Sequence, residues 1–555
     1  MKSKISWFNP VVFRKNVTRF APAWVLYTVG LFLVVITIMG DVNSTVGFAR
    51  DLGNAIAPMA FLNFCYAFLC AQLLFGDLYN SRMCNALHAM PIRRESWFAT
   101  NVVTGLAFSA VPNIAVTLFC MVFTGELWLS PLLWLAGTVL QYVFFFGTAV
   151  LSSYCVGHRF AMALVYAILN GFSVIVYWLV DSLYAPMLYG MQVEESVFLW
   201  FCPVLQMVAE FNYFEVYSPQ WDSYNYWQEE TLVLGDGWIY LGICAVLGLV
   251  YMACALILYR KRNLECAGDA VTVKWLSPVF LLLYTFCGGT VCHAFFSLFW
   301  GEENIVFLLI GLAIGFFTGK MLLERTVRVF HPKTLVRFGV LVLVFLLSLL
   351  LTRLDPLGIT RWVPKAEQVR QIDYRTTSTN YSGCVVTDPE KIRQLCMIHQ
   401  HGVENRNEGV NGKADVRVYL DYTLKNGATR SRYYYIDIDT QAGQALKMLL
   451  SSPEAVFETD DPEGFLDTVE RLELAGVGVP KEQWQGLYEA MLLDCAEGTL
   501  AQDWNFYMDQ KMSWLTVERK AQEGNGLHRY TDIVIRIRCK NTAAWMRANG
   551  YSFDQ

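Results

Sequence analysis

His399, His401 and Glu404 are the first residues that could do chemistry, because imidazoles and a carboxylate so close along the chain suggest a metal site. A helical zinc site places its ligands on one face, as H-E-x-x-H does with histidines four residues apart. In HxHxxE, positions 399 and 401 point to different sides of a helix, so no metal is expected here. There is no H-E-x-x-H or G-x-S-x-G motif, and no G-x-x-x-x-G-K-[ST] loop to cradle a nucleotide. The nearest glycine run, GLAIGFFTGKM, holds Gly311, Gly315 and Gly319 inside an apolar block, and Lys320 is followed by Met. Glycines at i, i+4 and i+8 instead make a face for close helix packing, within the chain or against a second copy. Lys320 and Glu324 are spaced to pair. Eleven of the fifteen cysteines precede residue 300, mostly within apolar blocks, and no CxxC occurs. They read as small hydrophobes. The chain is not expected to be an enzyme or to carry a cofactor of its own.

The elements around these residues are mostly those of a membrane protein. Of 555 residues, 55% are hydrophobic and 16% charged, far from a soluble average. A bilayer core about 30 Å thick needs about 20 apolar residues in a helix. Blocks of that length lie near 22–40, 56–76, 101–124, 131–154, 161–183, 237–259, 278–299, 304–323 and 336–353. The first is long and lacks a clear small-x-small site after it, which disfavours a cleaved signal peptide. Alternate loops are basic, carrying Arg82, Arg93 and Arg94, then Arg159, then Arg260, Lys261 and Arg262, then Arg325, Arg328, Lys333 and Arg337. The long segment 184–236 has no Lys or Arg. By the positive-inside rule the N-terminus is cytoplasmic and residues 354–555 lie outside. The expected fold is therefore a polytopic α-helical membrane protein, about nine spans, N-in and C-out, in the plasma membrane, with an extracytoplasmic α+β domain.

Within the spans the notable polar residues are Asn63, Asn113, Gln141, Asn170 and His293. None is a carboxylate, which disfavours an ion-coupled carrier. Asn113 beside Pro112, and Asn170 near Gly171, are suited to capping freed backbone groups or joining helices. Residues 1–21 read as an interfacial helix. Phe13, Val17, Phe20 and Trp24 fall on one face and Arg14, Lys15, Thr18 and Arg19 opposite, a pattern for the inner-leaflet surface; a plain basic anchor is the alternative.

The segment LYNSRMCNALHAMPIRRESWF (78–98) predicts a short helix through Asn85–Met90 that stops at Pro91. It resembles the "hsLPi-R-r-e-lf" segment between the second and third spans of type-2 ABC exporter permease subunits of Gram-positive bacteria. LYRKRNLECAGDAV (258–271) likewise resembles that family's "yRkR-sE-AG" pattern through Arg262, Glu265, Ala267 and Gly268. The resemblance covers essentially the whole chain, though the last three spans and the external domain go beyond the family's minimal core. It implies a six-span permease core over 22–259, with 260–353 as three additional spans. It also implies that Arg82, His88, Pro91, Arg93, Arg94 and Glu95 form a coupling helix docking on a separate ABC ATPase, where ATP and magnesium would bind. A second permease half, identical or not, is implied too. SVFLWFCPVLQMVAEF (196–211) is a candidate for the family's segment that dips into the outer leaflet. The other readings are a membrane-anchored sensor or binding protein and, less favoured, a secondary transporter. The lipid bilayer is a partner on any of them, and nucleic acid is not.

In 354–555, DPEKIRQLCMIHQHGV (388–403) predicts a helix with Asp388 as N-cap and Pro389 at its first position. Two β-rich runs, 416–424 and 428–438, flank Asn426-Gly427, a hairpin signal, and a helix follows over 440–452. The same order recurs as a helix at 480–498, strands at 512–520 and 530–539, and a short capped helix at 541–550. This suggests a duplicated helix–hairpin–helix unit. Cys384, Cys396, Cys495 and Cys539 could form disulfides in three pairings.

Overall fold

The structure is a computed structural model. It describes the chain apart from residues 1–6, 42–44, 125–126, 192–194, 210–213, 218–230, 235–236, 263–270, 273–274, 301–304, 377–383, 406–414, 460, 502–511, 521–528 and 553–555. Among the described residues, nine helices are long and apolar enough to cross a membrane, the architecture of a multi-pass helical membrane protein. The chain packs as two compact units.

The first unit takes in residues 1–182, 194–217 and 230–347, so each candidate span, in whole or for the most part, packs within it. It opens with α1 (Pro10–Arg19), α2 (Ala21–Asp41), α3 (Thr45–Asn54), α4 (Ile56–Leu74), α5 (Ser81–His88), α6 (Arg94–Thr124), α7 (Leu129–Cys155) and α8 (Arg159–Leu179). Two short helices follow, α9 (Glu195–Trp200) and α10 (Pro203–Ala209), broken at Phe201–Cys202. A small hairpin, β1 (Phe214–Tyr217) and β2 (Thr231–Leu234), precedes α11 (Gly237–Lys261), α12 (Leu276–Trp300), α13 (Ile305–Glu324) and α14 (Pro332–Leu354).

Glycines set two of the closest helix crossings. A Cβ on Gly147 of α7 would lie 2.3 Å from the Gly248 carbonyl oxygen of α11. On α13, a Cβ at Gly311 would meet Cys292 and Gly289 of α12, at Gly315 the Thr285 backbone, and at Gly319 the Tyr284 ring. The glycine stripe therefore seats α12 within the chain. Lys320 and Glu324 pair at 2.8 Å.

Where apolar packing gives no register, buried polar groups supply it. Tyr27 Oη donates to Asn63 Oδ1 (2.8 Å), and Asn63 Nδ2 donates to Gln141 Oε1 (3.0 Å) and the Thr138 carbonyl. Gln141 Nε2 reaches the Ile56 carbonyl, while Thr138 Oγ1 donates to Asn113 Oδ1. α2, α4, α6 and α7 are joined by this one network. Pro112 inside α6 has no N–H, which would orphan the Phe108 carbonyl four residues back; Tyr66 Oη donates to it at 3.1 Å. Asn113 Nδ2 donates to the Ser109 carbonyl and Asn170 Nδ2 to that of Tyr166, each within its own helix. His293 packs its ring edge-on against Trp178, centroids 5.0 Å apart.

α1 departs from the expected stripe. Its buried face is Val12 and Asn16, with Asn16 Nδ2 donating to Asn101 Oδ1 of α6 at 2.8 Å. Val17, Phe20 and Trp24 pack against the helical core, leaving Trp7 and Val11 exposed beside Arg14 and Lys15. Asparagine pairing outcompetes the simple apolar face because an unpaired buried amide is costly.

The second unit comprises 183–193, 218–229 and 348–555, of which 218–229 lie outside the described residues. Its first lobe is β3 (Val369–Thr376), β4 (Cys384–Val386), α15 (Pro389–Glu404), β5 (Asp415–Leu424), β6 (Thr429–Asp437) and α16 (Gln441–Leu450). Single turns α17 (Pro453–Val456) and α18 (Phe465–Thr468) lead to the second lobe. That lobe is β7 (Val469–Leu474), β8 (Val477–Gly478), α19 (Lys481–Ala496), β9 (Met512–Arg519), β10 (Arg529–Arg536) and α20 (Lys540–Ala548). The sheet orders are β4-β3-β5-β6 and β8-β7-β9-β10, all antiparallel, so the lobes share one topology. Each even shifts register at the start of its first strand, between Val369 and Gln371 and between Val469 and Arg471. Each lobe begins with a strand pair that the helix–hairpin–helix reading lacks. β8 is two residues long, and its turn carries Ala475 and Gly476 both at positive φ, as a type I′ turn requires.

Asp388 and Thr440 cap α15 and α16 through Glu390 N–H and Gly443 N–H. The Asn426-Gly427 hairpin closes with Gly427 N–H on the Leu424 carbonyl and Gly427 at φ +84°. Cys384, Cys396 and Cys495 are free thiols, and Cys539 Sγ donates to the Thr499 carbonyl (3.3 Å); burial pushes the Cys384 and Cys396 thiols up to about 11 and Cys495 to about 12. Such thiols are unreactive.

Candidate functional site

The basic segment between α4 and α6 is built on a 3₁₀ turn, Gly76–Tyr79, and on Asn80, whose Oδ1 accepts from Arg82 N–H (3.0 Å) and Met83 N–H to start α5. The helix runs Ser81–His88, four residues earlier at its start than the sequence suggests and ending before Ala89. Asparagine is a strong N-cap, and a tight turn around Pro91, with Ile92 N–H on the Met90 carbonyl (2.7 Å), leads into the next helix. Cys84 anchors α5 through its buried side. Arg82, Met90, Pro91 and Arg93 are exposed; the side chain of His88 lies outside the described residues.

The next two charges turn inward. Arg94 Nη1 donates to the Arg262 carbonyl (3.2 Å), and its guanidinium stands 5.9 Å from the Tyr259 ring centroid. Glu95 pairs with Arg260 at 3.3 Å; both are partly exposed, so the pair contributes at most about 1 kcal/mol. Arg262 acts as a remote C-cap. Its Nη1 donates to the Ser153 and Tyr154 carbonyls at the end of α7, and its Nη2 to Leu78 O. Those carbonyls would otherwise be orphaned at a helix end. Thr272 adds bonds from its N–H and hydroxyl to Cys155 O. Glu265 and Gly268 lie outside the described residues.

Beneath this polar layer Phe75, Phe98, Tyr154 and Tyr259 interlock, with neighbouring centroids 5.0–6.4 Å apart. Burial raises the Asp77 carboxyl above its ordinary range, opposed by Arg19, Lys15 and Arg159. The result is a rigid base under an exposed cationic helix and turn. Arg82 and Arg93 can meet a partner surface, whereas Arg94, Glu95 and Arg262 hold the segment in place. Nothing in the motif singled out Tyr154, Thr272 or the Asn16–Asn101 pair; only their polar character inside apolar stretches was a signal.

The histidine trio does not converge. His399 is fully buried, with Nδ1 and Nε2 each 2.9 Å from a tyrosine hydroxyl, Tyr422 and Tyr434. His401 pairs with Asn405, and Glu404 accepts from Gln400. Among the described residues no group of three could hold a metal. Burial, and then repulsion from Arg432, lower the His399 pKa from 6.5 to about 3. A neutral imidazole suits the two hydroxyls, one accepting and one donating. A group depressed in the fold contributes stability above its unfolded pKa and loses it as pH falls toward the folded value. The first lobe should therefore weaken below pH 6.5 by about 1.4 kcal/mol per pH unit. The check is hydrogen exchange of 389–404 at pH 7 and pH 5, corrected for intrinsic rates. His399→Gln should flatten the difference, and an equal slope in both proteins would rule it out.

The chain matches no family model, no curated protein and no solved structure.

Proposed function

We propose that the chain is the membrane-spanning permease subunit of an ATP-driven, type-2 ABC exporter, working with a separate ATPase subunit and a second permease half. The observation that carries this reading is the exposed α5–Pro91 turn, with Arg82 and Arg93 outward on a base locked by Arg94, Arg260 and Arg262. A loose basic loop would satisfy the positive-inside rule without any such bracing. A docking element that transmits force needs it, because displacement of a soft segment would dissipate before reaching α4 and α6. In this reading the Arg-rich end faces the cytoplasm, the C-terminal α+β unit lies outside the plasma membrane, and the apolar helices form the path between them.

The test separates docking from bracing. Arg82→Glu with Arg93→Glu should reduce the amount of Walker-loop ATPase recovered with the protein by tenfold or more, from about 1.4 kcal/mol of lost charge attraction. Membrane insertion and thermal stability should stay unchanged. Arg94→Ala should instead lower stability. Undiminished recovery of the ATPase with the double variant would remove the exporter reading.

A further inference from the structure

At its C-terminal end α8 changes character. Residues Val180–Tyr184 form a π turn, a form that recurs at functional sites, and the chain then runs on through a 3₁₀ turn to Gly190. This stretch, Leu183–Met191, belongs to the second unit, whose main part begins only at Ser348. Its attachment is specific. The Gly190 carbonyl accepts from Tyr433 N–H at 3.0 Å, extending the open edge of β6 by one backbone bond. Gly190 has φ +78°, and a Cβ there would lie 2.4 Å from the Tyr434 ring, so no other residue fits. Tyr189 packs its ring 5.6 Å from that of Tyr434, which itself bonds His399 and fills the space over Gly402. Tyr184 Oη and Ser348 Oγ, at 2.7 Å, tie the same stretch to α14 just before the chain leaves for the first lobe.

We infer that Leu183–Met191 is a coupling strap through which the state of the first lobe is passed to the helical hairpin α9–α10. The strap is covalently continuous with α8 before it and α9 after it. Its docking surface is β6, whose outward side chains line the face of the sheet, so any rearrangement of that strand moves the Gly190 bond. Downstream, α10 is held by Cys202 Sγ on the Asn170 carbonyl, and the end of α9 by Tyr240 Oη on the Trp200 carbonyl. Met207 of α10 is buried in the helical core, so a pull on the strap would act on that packing as well as on these two hydrogen bonds. The inference is independent of what powers transport.

Hydrogen exchange on the full chain in lipid nanodiscs tests it. Gly190→Val should raise exchange in 184–191 and in β6 by about tenfold or more, and raise it also in 195–209, while 540–548 stays as protected as before. Tyr184→Phe, which adds no strain, should give the same pattern at smaller amplitude and stands in if the valine variant fails to fold. A strap that stays protected in both variants overturns the docking. Loosening of 184–191 with 195–209 unchanged overturns the coupling.

Discussion

Gly248→Leu will separate α7 from α11 and cost about 3 kcal/mol or more of the first unit's stability. A Cβ at this position would sit 2.6 Å from the Val143 carbonyl oxygen and 2.7 Å from Phe144 Cα. Both obstacles are backbone, so no rotamer change relieves them and the helices themselves must part. Overpacking a core typically costs 1–3 kcal/mol even where side chains can shift; here the partners cannot. In lipid there is also no hydrophobic force to restore the contact, since association rests on close packing. Gly242 on the same helix has open space where its Cβ would be. Gly242→Leu should therefore be tolerated, and the pair controls for helix propensity and apolarity. Unfolding in mixed micelles as denaturing detergent is titrated would read both. Equal midpoints for the two variants would show that the crossing is not what holds α7 and α11.

The spans were legible because each is a long run of uninterrupted apolar residues, and the described helices fall where those runs lie. What could not be read was which helices touch. The stripe at Gly311, Gly315 and Gly319 announced close packing, but only coordinates show that Gly288 and Gly289 of α12 receive it. The lone pair Gly147–Gly248 has no periodic signature and gave no warning. In the second unit, Asp388 revealed its helix because the cap is local; Thr440 caps α16 in the same way, though only the structure shows it. The strands β4 and β8, of three and two residues, are too short for any alternation to show. At the basic end, the charges were visible yet their division was not. Arg93 and Arg94 are adjacent in sequence, and only the fold shows that one faces solvent while the other reaches Arg262.

A similar non-local device carries the second large effect. The sequence suggested a short capped helix over 541–550, without showing what caps it. In the structure α20 starts at Lys540, and the Cys539 cap position makes no side-chain bond to the helix. The cap comes from Asp494, at the end of α19. Its Oδ1 accepts from Asn541 N–H (3.1 Å) and Nδ2 (3.0 Å), and its Oδ2 from Thr542 N–H (2.7 Å) and Oγ1 (2.6 Å). The carboxylate is fully buried, and the α20 N-terminus supplies the positive end of a helix dipole to it. Asp494→Ala would leave two backbone N–H groups and a hydroxyl buried without acceptors, each costing about 1–3 kcal/mol. Part of this is offset because the buried charge no longer has to be desolvated. A net loss of about 3 kcal/mol is expected. Asp494→Asn should recover little, since its amide nitrogen would face donors with a donor. Exchange should rise in 540–548 and 481–496 while 389–404 keeps its protection, because the first lobe has its own core and its own caps. If exchange rose equally in both lobes, they would unfold as one body, and the shared topology would not mark separately stable units.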